Sequence, residues 1–342
     1  MKRCIWSFFL MFLFVGCAPE NTPKTQENLH APNHSSKIRV LSTLAMINEL
    51  VKPIGGDYIE TSILIPGELD PHSYQLVKGD DEKLRASQII FYNGLELEHG
   101  PSLKQYLQKS SKAVALGNKI LEQNPELILK EKGQLDPHIW MDISLWAKNI
   151  PFIVAKLSEV DPSHAPFFRE QGEILQKNLI ATHEAIHQQL LQVPSSQRFL
   201  VTSHDAFNYF TKAYLAEDSE RRDGTWRHRF AAPEGLAPDS QLSVADIQQV
   251  ISHLKEYQIH VLFPESNVSK DSIRKIVYAG RENGLDLQIS QVSLYSDSMG
   301  PPGSDGDSYL KMIQHNARII AEYLQGSKPN LSISIQGACH VP

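Results

Sequence analysis

The chain has little of what several protein classes need. Lys plus Arg number 33 against 39 for Asp plus Glu, a formal charge of −6, so no basic field exists to hold a polyphosphate and no nucleic acid partner is expected. Three cysteines, Cys4, Cys17 and Cys339, are too few and too scattered for a disulfide framework. The apolar run at 5–15 is too short to cross a bilayer as a helix. No G-x-x-x-x-G-K-[ST] phosphate loop occurs, so work driven by a nucleoside triphosphate must fall to another polypeptide. What remains is ordinary: 41% hydrophobic and 21% charged residues exclude global disorder. With 342 residues and about 150 per domain, roughly two domains are expected.

Lys2 and Arg3, the apolar run and Gly16-Cys17 read as a positive n-region, a short h-region and a processing site. Residues 1–16 are therefore expected to be a signal peptide, and the mature protein to work outside the cytoplasm. Phe14-Val15-Gly16-Cys17 resembles a bacterial lipobox, in which the Cys is acylated, with Phe14 where an aliphatic residue is usual. Plain cleavage to a free periplasmic protein is the alternative. Residues 17–37 have three prolines and almost no large apolar side chain, so they cannot offset the entropy of ordering and read as a flexible tether. Cys339-His340 is a pair of metal-binding side chains with no third ligand beside it and reads as incidental.

Short apolar runs at 38–42, 59–65, 89–92 and 113–116 alternate with helix-like segments such as 45–54 and 80–86. Strands alternating with helices imply α/β lobes with parallel sheets covered on both faces. The pattern resumes after 198, with strands at 199–202, 261–263 and 287–292 and helices at 243–255, 271–281 and 308–326. Between the two stretches, Phe168, Leu175, Leu179, Ile186 and Leu190 recur at helical spacing and predict one long helix near 163–192. The expected organisation is an N-terminal α/β lobe at 38–160, a rigid linker helix at 161–194 and a C-terminal α/β lobe at 195–342.

The tripeptide Asp-Pro-His occurs twice, at Asp70-Pro71-His72 and Asp136-Pro137-His138, both in loops after apolar segments. Proline fixes its own φ and holds the preceding residue extended, so each imidazole is presented from a stiff loop. The neighbouring Asp is placed to accept the second ring N–H of a ligating His and fix its tautomer. His204 and Asp297 also follow strand-like runs. Singly, His204 reads as a helix cap and Asp297 as a turn residue. In open α/β sheets, however, ligands collect beyond the carboxyl ends of the strands. Two ligands from each lobe would close one site.

The segments 70–74 (DPHSY), 136–142 (DPHIWMD), 201–210 (VTSHDAFNYF), 263–269 (FPESNVS) and 294–316 (LYSDSMGPPGSDGDSYLKMIQHN) carry a resemblance. In this order and spacing they resemble the cluster A-I metal-binding solute-binding proteins of ABC transporters, with its TroA-like and YtgA-like members. The resemblance implies that His72, His138, His204 and Asp297 coordinate one divalent transition-metal ion as cargo. It also implies a non-enzymatic, monomeric receptor that delivers the ion to a membrane permease driven by a separate ATPase. Glu265 lies in a matching segment without being a usual ligand and is assigned a place behind the ligands.

Three imidazoles and a carboxylate suit Fe²⁺, Mn²⁺ or Zn²⁺ better than Ca²⁺ or Mg²⁺. Four protein ligands leave a tetrahedral ion no open position for an activated water, which favours capture over catalysis. The zinc-dedicated branch often carries a His-rich acidic loop, and 116–135 contains no histidine. Manganese-specific relatives tend to have a carboxylate where His204 stands. Residues 220–243, with RRDGTWRHR, look like the YtgA-like subgroup, for which iron is the inferred cargo; the expectation is iron or manganese. Arg221, Arg222, Arg227 and Arg229 read either as a docking patch or as a solvated loop.

Two other functions compete. His183-Glu184-Ala185-Ile186-His187 matches the H-E-x-x-H pattern of zinc peptidases, but it lies in the long helix and lacks a marked third ligand. A surface adhesin fits the export signal and leaves the paired Asp-Pro-His loops unexplained.

Overall fold

The computed structural model describes residues 37–67, 69–238 and 242–326. The leader, Cys17, most of the tether and Cys339-His340 lie outside the described residues.

The first half alternates β1 (Ile38–Ser42), α1 (Ala45–Gly55), β2 (Ile59–Ile63), α2 (Asp80–Ala86), β3 (Ile89–Tyr92), α3 (Pro101–Lys109), β4 (Ala113–Ala115) and α4 (Leu116–Gln123). Its four strands form one parallel sheet in the order β2-β1-β3-β4, with Val40 of β1 opposite Thr61 and Ile89. β1 and β3 are central and read as nearly continuous apolar runs because helices cover both faces. A hairpin follows, β5 (Lys130–Glu131) and β6 (Gln134–Leu135), turned by Lys132 and Gly133 at φ 50° and 84°. Its exit strand delivers Asp136-Pro137-His138.

α5 (Ile143–Trp146) and α6 (Ile150–Val160) lead to α7 (Ala165–Leu191), a helix of 27 residues and thus about 40 Å. It opens with proline in its first turn, where a missing N–H costs no hydrogen bond. Its buried stripe is Phe168, Gly172, Leu179, Ile186 and Leu190, with Leu175 partly covered, as the spacing predicts. Gly172 allows α6 to pack closely, since a Cβ there would lie 2.7 Å from Val154.

The second half comprises β7 (Leu200–Val201), α8 (Asn208–Phe210) running into a π-helical turn at 211–215, α9 (Asp218–Asp223), β8 (Phe230–Ala231), α10 (Val244–Glu256), β9 (Val261–Leu262), α11 (Asp271–Glu282), β10 (Gln288–Ile289) and α12 (Tyr309–Leu324). β7 pairs in parallel with β8, and β9 with β10. A parallel bridge between Thr202 and Phe263 sets β7 beside β9, and another joins Glu265 to Leu294. The regular strands are shorter than the runs at 199–202, 261–263 and 287–292 that the sequence predicts, with the isolated bridges continuing the pairing beyond them.

One contiguous apolar cluster runs from β1 through α7 to Leu200, Phe207, Phe263, Leu294 and Ile320, while a smaller one lies under α10 and α11. α12, expected to belong to the second half, packs against α7 and α1. Trp140, Trp146, Tyr214 and Tyr309 are buried where the segments meet, and removing one such aromatic side chain costs about 3–5 kcal/mol.

Candidate metal centre

Each of the four expected residues sits at the end of a different local device. His72 follows β2 on a turn whose backbone Asp70 ties: Asp70 Oδ1 accepts the His72 N–H at 2.8 Å and Oδ2 accepts the Ser73 hydroxyl at 2.7 Å. Asp70 therefore shapes the loop instead of backing the ring, a correction to the symmetrical role expected for the two Asp-Pro-His copies. Asp136 does back its histidine, with Oδ1 2.7 Å from His138 Nδ1. It is itself fixed by Asn208 Nδ2, which donates to Oδ2 at 3.0 Å, and by the Tyr209 hydroxyl, which donates to its carbonyl at 3.0 Å. Asn93, at the end of β3, donates to the Pro137 carbonyl at 3.0 Å and pins the loop to the first sheet.

His204 and Glu265 follow the carboxyl ends of β7 and β9, and Asp297 follows Leu294, which is bridged in parallel to Glu265. Glu265 Oε1 accepts the backbone N–H groups of Ser203 and His204, both at 2.9 Å, and Oε2 lies 2.5 Å from His204 Nδ1. Glu265 thus stands behind the His204 ring and its backbone. Trp140 Nε1 donates to the Ser296 carbonyl at 2.8 Å, and the Tyr309 hydroxyl donates to the Trp140 carbonyl at 2.7 Å. These bonds couple the His138 loop to the residue preceding Asp297.

One ligand atom from each of His72, His138, His204 and Asp297 falls within 4.8 Å of the other three, and all four residues are buried. His72 Nε2 is 3.3 Å from His138 Nε2 and 3.9 Å from Asp297 Oδ2. Asp297 Oδ1 is 3.4 Å from His138 Nε2, and Oδ2 is 3.1 Å from His204 Nε2. An ion with bonds of about 2.0–2.1 Å sets tetrahedral ligand edges near 3.4 Å, and these separations bracket that value, Asp297 turning one oxygen to His138 and the other to His72 and His204. Both Asp297 oxygens are buried and face imidazole nitrogens, Oδ1 that of His138 and Oδ2 those of His204 and His72.

Electrostatics distinguish the imidazoles. Burial pushes His72 down to about 3, with Asp297 offsetting only part of the cost. At His138 burial acts in the same direction, but Asp136 and Asp297 outweigh it and raise the ring to about 9. His204 is likewise raised well above its usual range by Glu265 and Asp297, against burial. Burial would raise Asp297, yet His204 and His138 hold it well below the carboxylate range. The two rings that meet two carboxylates each thus hold a proton more firmly than His72, which meets Asp297 alone.

The chain matches the family model described as zinc-uptake complex component A, periplasmic, over residues 40–323. It belongs to this family. Within related sequences it is 36% identical over 317 residues to the metal-binding protein YtgA of Chlamydia trachomatis, covering 93% of this chain and 94% of that one. It is 30% identical over 320 residues to the manganese-binding lipoprotein MntA of Bacillus subtilis, covering 93% and 97%. The crystal structure of Fe(III)-bound YtgA from Chlamydia trachomatis superposes with a TM-score of 0.80 at 37% identity, over 86% of this chain and 100% of that one. The periplasmic zinc-binding protein TroA from Treponema pallidum gives 0.75 at 28% identity, over 84% and 99%. Family and fold agree with the α/β architecture and long helix read from the sequence, and place the chain among binding proteins instead of enzymes.

The peptidase-like motif forms no second centre. His183 Nδ1 lies 3.0 Å from the Tyr214 hydroxyl and 3.5 Å from Asp142, so its ring ties α7 to its neighbours. Among the described residues, the only cluster of three or more His, Cys, Asp and Glu side chains with metal-ligand spacing is the one above. Of the arginine-rich segment, Arg229 is buried and Arg221 half-buried, both tied internally, while Arg222 and Arg227 are exposed. Arg229 pairs with Glu220 through two bonds and caps the Ser195 and Arg198 carbonyls, Arg221 binds the carbonyls of Ala213 and Ala216, and Arg227 meets Glu131. Asn208, Tyr209, Trp140 and Tyr309 escaped the sequence reading because nothing local distinguishes an aromatic or amide that positions a ligand from one that fills a core.

Proposed function

We propose that this protein is the extracytoplasmic receptor of an ABC importer, capturing one transition-metal ion through His72, His138, His204 and Asp297 and passing it to a membrane permease energised by a separate ATPase. The observation that carries the reading is the buried convergence of three imidazole nitrogens and one carboxylate at metal-ligand spacing. Residues 38–160 and 195–342 are read as lobes contributing two ligands each, with 161–194 as the stiff connector. Because one apolar cluster crosses between the halves, capture and release are assigned to small loop movements instead of wide lobe closure.

The N3O donor set accommodates Fe, Mn and Zn, and the named relatives span all three metals. Iron or manganese is favoured here: 116–135 has no histidine-rich loop but a short helix and a tight hairpin, and the Fe(III)-bound and manganese-binding relatives are at least 30% identical. Acylation of Cys17 is proposed by the lipobox-like tetrapeptide and supported by lipoprotein relatives, and the receptor is taken to act as a monomer.

The test is metal analysis of the purified chain with anaerobic competition among Fe²⁺, Mn²⁺ and Zn²⁺. One ion per monomer is expected, lost in His138→Ala and Asp297→Asn. Full metal content in both variants would refute the site. Affinity for zinc alone does not identify the cargo, since the Irving–Williams order favours it over iron and manganese at most N/O sites.

A further inference from the structure

We propose that His99 is an entry ligand, a fifth imidazole that shares the incoming ion with His72 before the ion reaches the buried set; this rests on the metal-capture reading above. None of the four clustered residues is more than 3% exposed, so a hydrated ion must exchange its waters for protein nitrogens at a rim. His72 is the most exposed of the four. Beside it stands His99, partly exposed, with its ring centroid 5.7 Å from that of His72. The same spacing operates inside the centre, where the three imidazole pairs are 5.3, 5.5 and 6.5 Å apart. Among the described residues, no other histidine outside the cluster has a ring in contact with it.

The backbone holds His99 in that position. Gly94, Leu95 and Glu96 have φ of 75°, 52° and 66°, a run of left-handed residues that two side chains adopt at a cost. Buried Glu98 anchors the loop by accepting the Thr43 hydroxyl at 2.7 Å and the N–H groups of Asn93 and Gly94 at 2.8 and 3.0 Å. Gly100 lies against the turn bearing His72, since a Cβ there would stand 2.0 Å from the Tyr74 carbonyl oxygen. His99 Nδ1 faces the Glu96 carbonyl at 3.2 Å, an acceptor only, which leaves the lone pair of the neutral ring on Nε2 for a metal.

His72 is suited to a hand-over for a complementary reason. Asp136 and Glu265 lock the rings of His138 and His204 at Nδ1, whereas among the described residues the only carboxylate paired with His72 is Asp297, on its Nε2 side. A ring without a backing carboxylate turns at lower cost. The ion would exchange one water for His99 and another for His72, then leave His99 as the inner nitrogens engage.

The test uses Co²⁺ with the full chain, following its visible absorption by stopped flow for association and by a chelator chase for dissociation. In His99→Ala and His99→Gln both rates should fall on the order of tenfold, with Kd and the final cobalt spectrum unchanged, because a group that touches the ion only in passage alters the barrier equally from both sides. Unchanged rates, or a weaker Kd with an altered spectrum, would overturn the proposal and leave metal capture intact. If the unsubstituted chain binds no Co²⁺, both readings fall together.

Discussion

Replacing Glu265 by Gln separates positioning of a ligand from packing of the fold. The side chain accepts two backbone N–H groups at 2.9 Å with one oxygen and faces His204 Nδ1 at 2.5 Å with the other. Glutamine can keep its carbonyl on the two N–H donors, which places its NH₂ against Nδ1. That ring nitrogen must then become the acceptor, and the proton moves to Nε2, where the metal binds. Turning the amide over restores the favourable tautomer but orphans two buried N–H groups, at about 1–3 kcal/mol each. Both routes penalise the loaded state. Loss of the group backing a metal-bound histidine typically weakens affinity about 10–100-fold. This corresponds to about 1.4–2.8 kcal/mol. Anaerobic titration against a competing chelator, with the melting temperature of the metal-free protein as a control for packing, measures it. Wild-type affinity in Glu265→Gln would refute the argument that the carboxylate sets the tautomer of His204.

The raised His138 ring, at about 9 against about 6.5 in an unfolded chain, makes the metal-free protein sensitive to alkali. Its stabilisation is complete below about pH 6.5 and is lost as pH rises through about 9, by an amount on the order of 3 kcal/mol. Urea midpoints of the metal-free chain should fall across that window, and less so in His138→Ala; a flat profile would contradict the assignment. Metal binding should strengthen over the same window because the Nε2 protons must leave, and calorimetry in buffers of different ionisation enthalpy should detect proton release near pH 7. Glu184→Gln should leave metal stoichiometry untouched, since His183 is occupied by Tyr214 and Asp142; lost metal, or a peptidase activity that disappears in this variant, would revive the H-E-x-x-H motif.

Local sequence carried a large share of this protein's organisation. Alternating apolar runs located β1 and β3 to the residue, and a helical stripe located α7 within two residues at each end, because periodicity reports which face of an element is buried and needs no distant partner. Donor chemistry was equally local: His72, His138, His204 and Asp297 stand in short motifs after strand-like runs, where side chains of that type have a restricted range of uses. Convergence was another matter. His72 and Asp297 are brought within 3.9 Å by packing that joins the four-stranded sheet to the second half of the chain, and no spacing along the chain contains that distance. The two Asp-Pro-His copies are indistinguishable as tripeptides, and both Asp70 and Asp136 accept the backbone N–H of their histidine, yet only Asp136, clamped by Asn208 and Tyr209 from another element, also reaches the imidazole. The fate of Arg221, Arg229 and α12 was settled in the same way, by which carbonyls, carboxylates and apolar faces lay nearby once the chain had folded. A linear pattern specifies what a residue offers; whether a partner is within reach depends on the three-dimensional core.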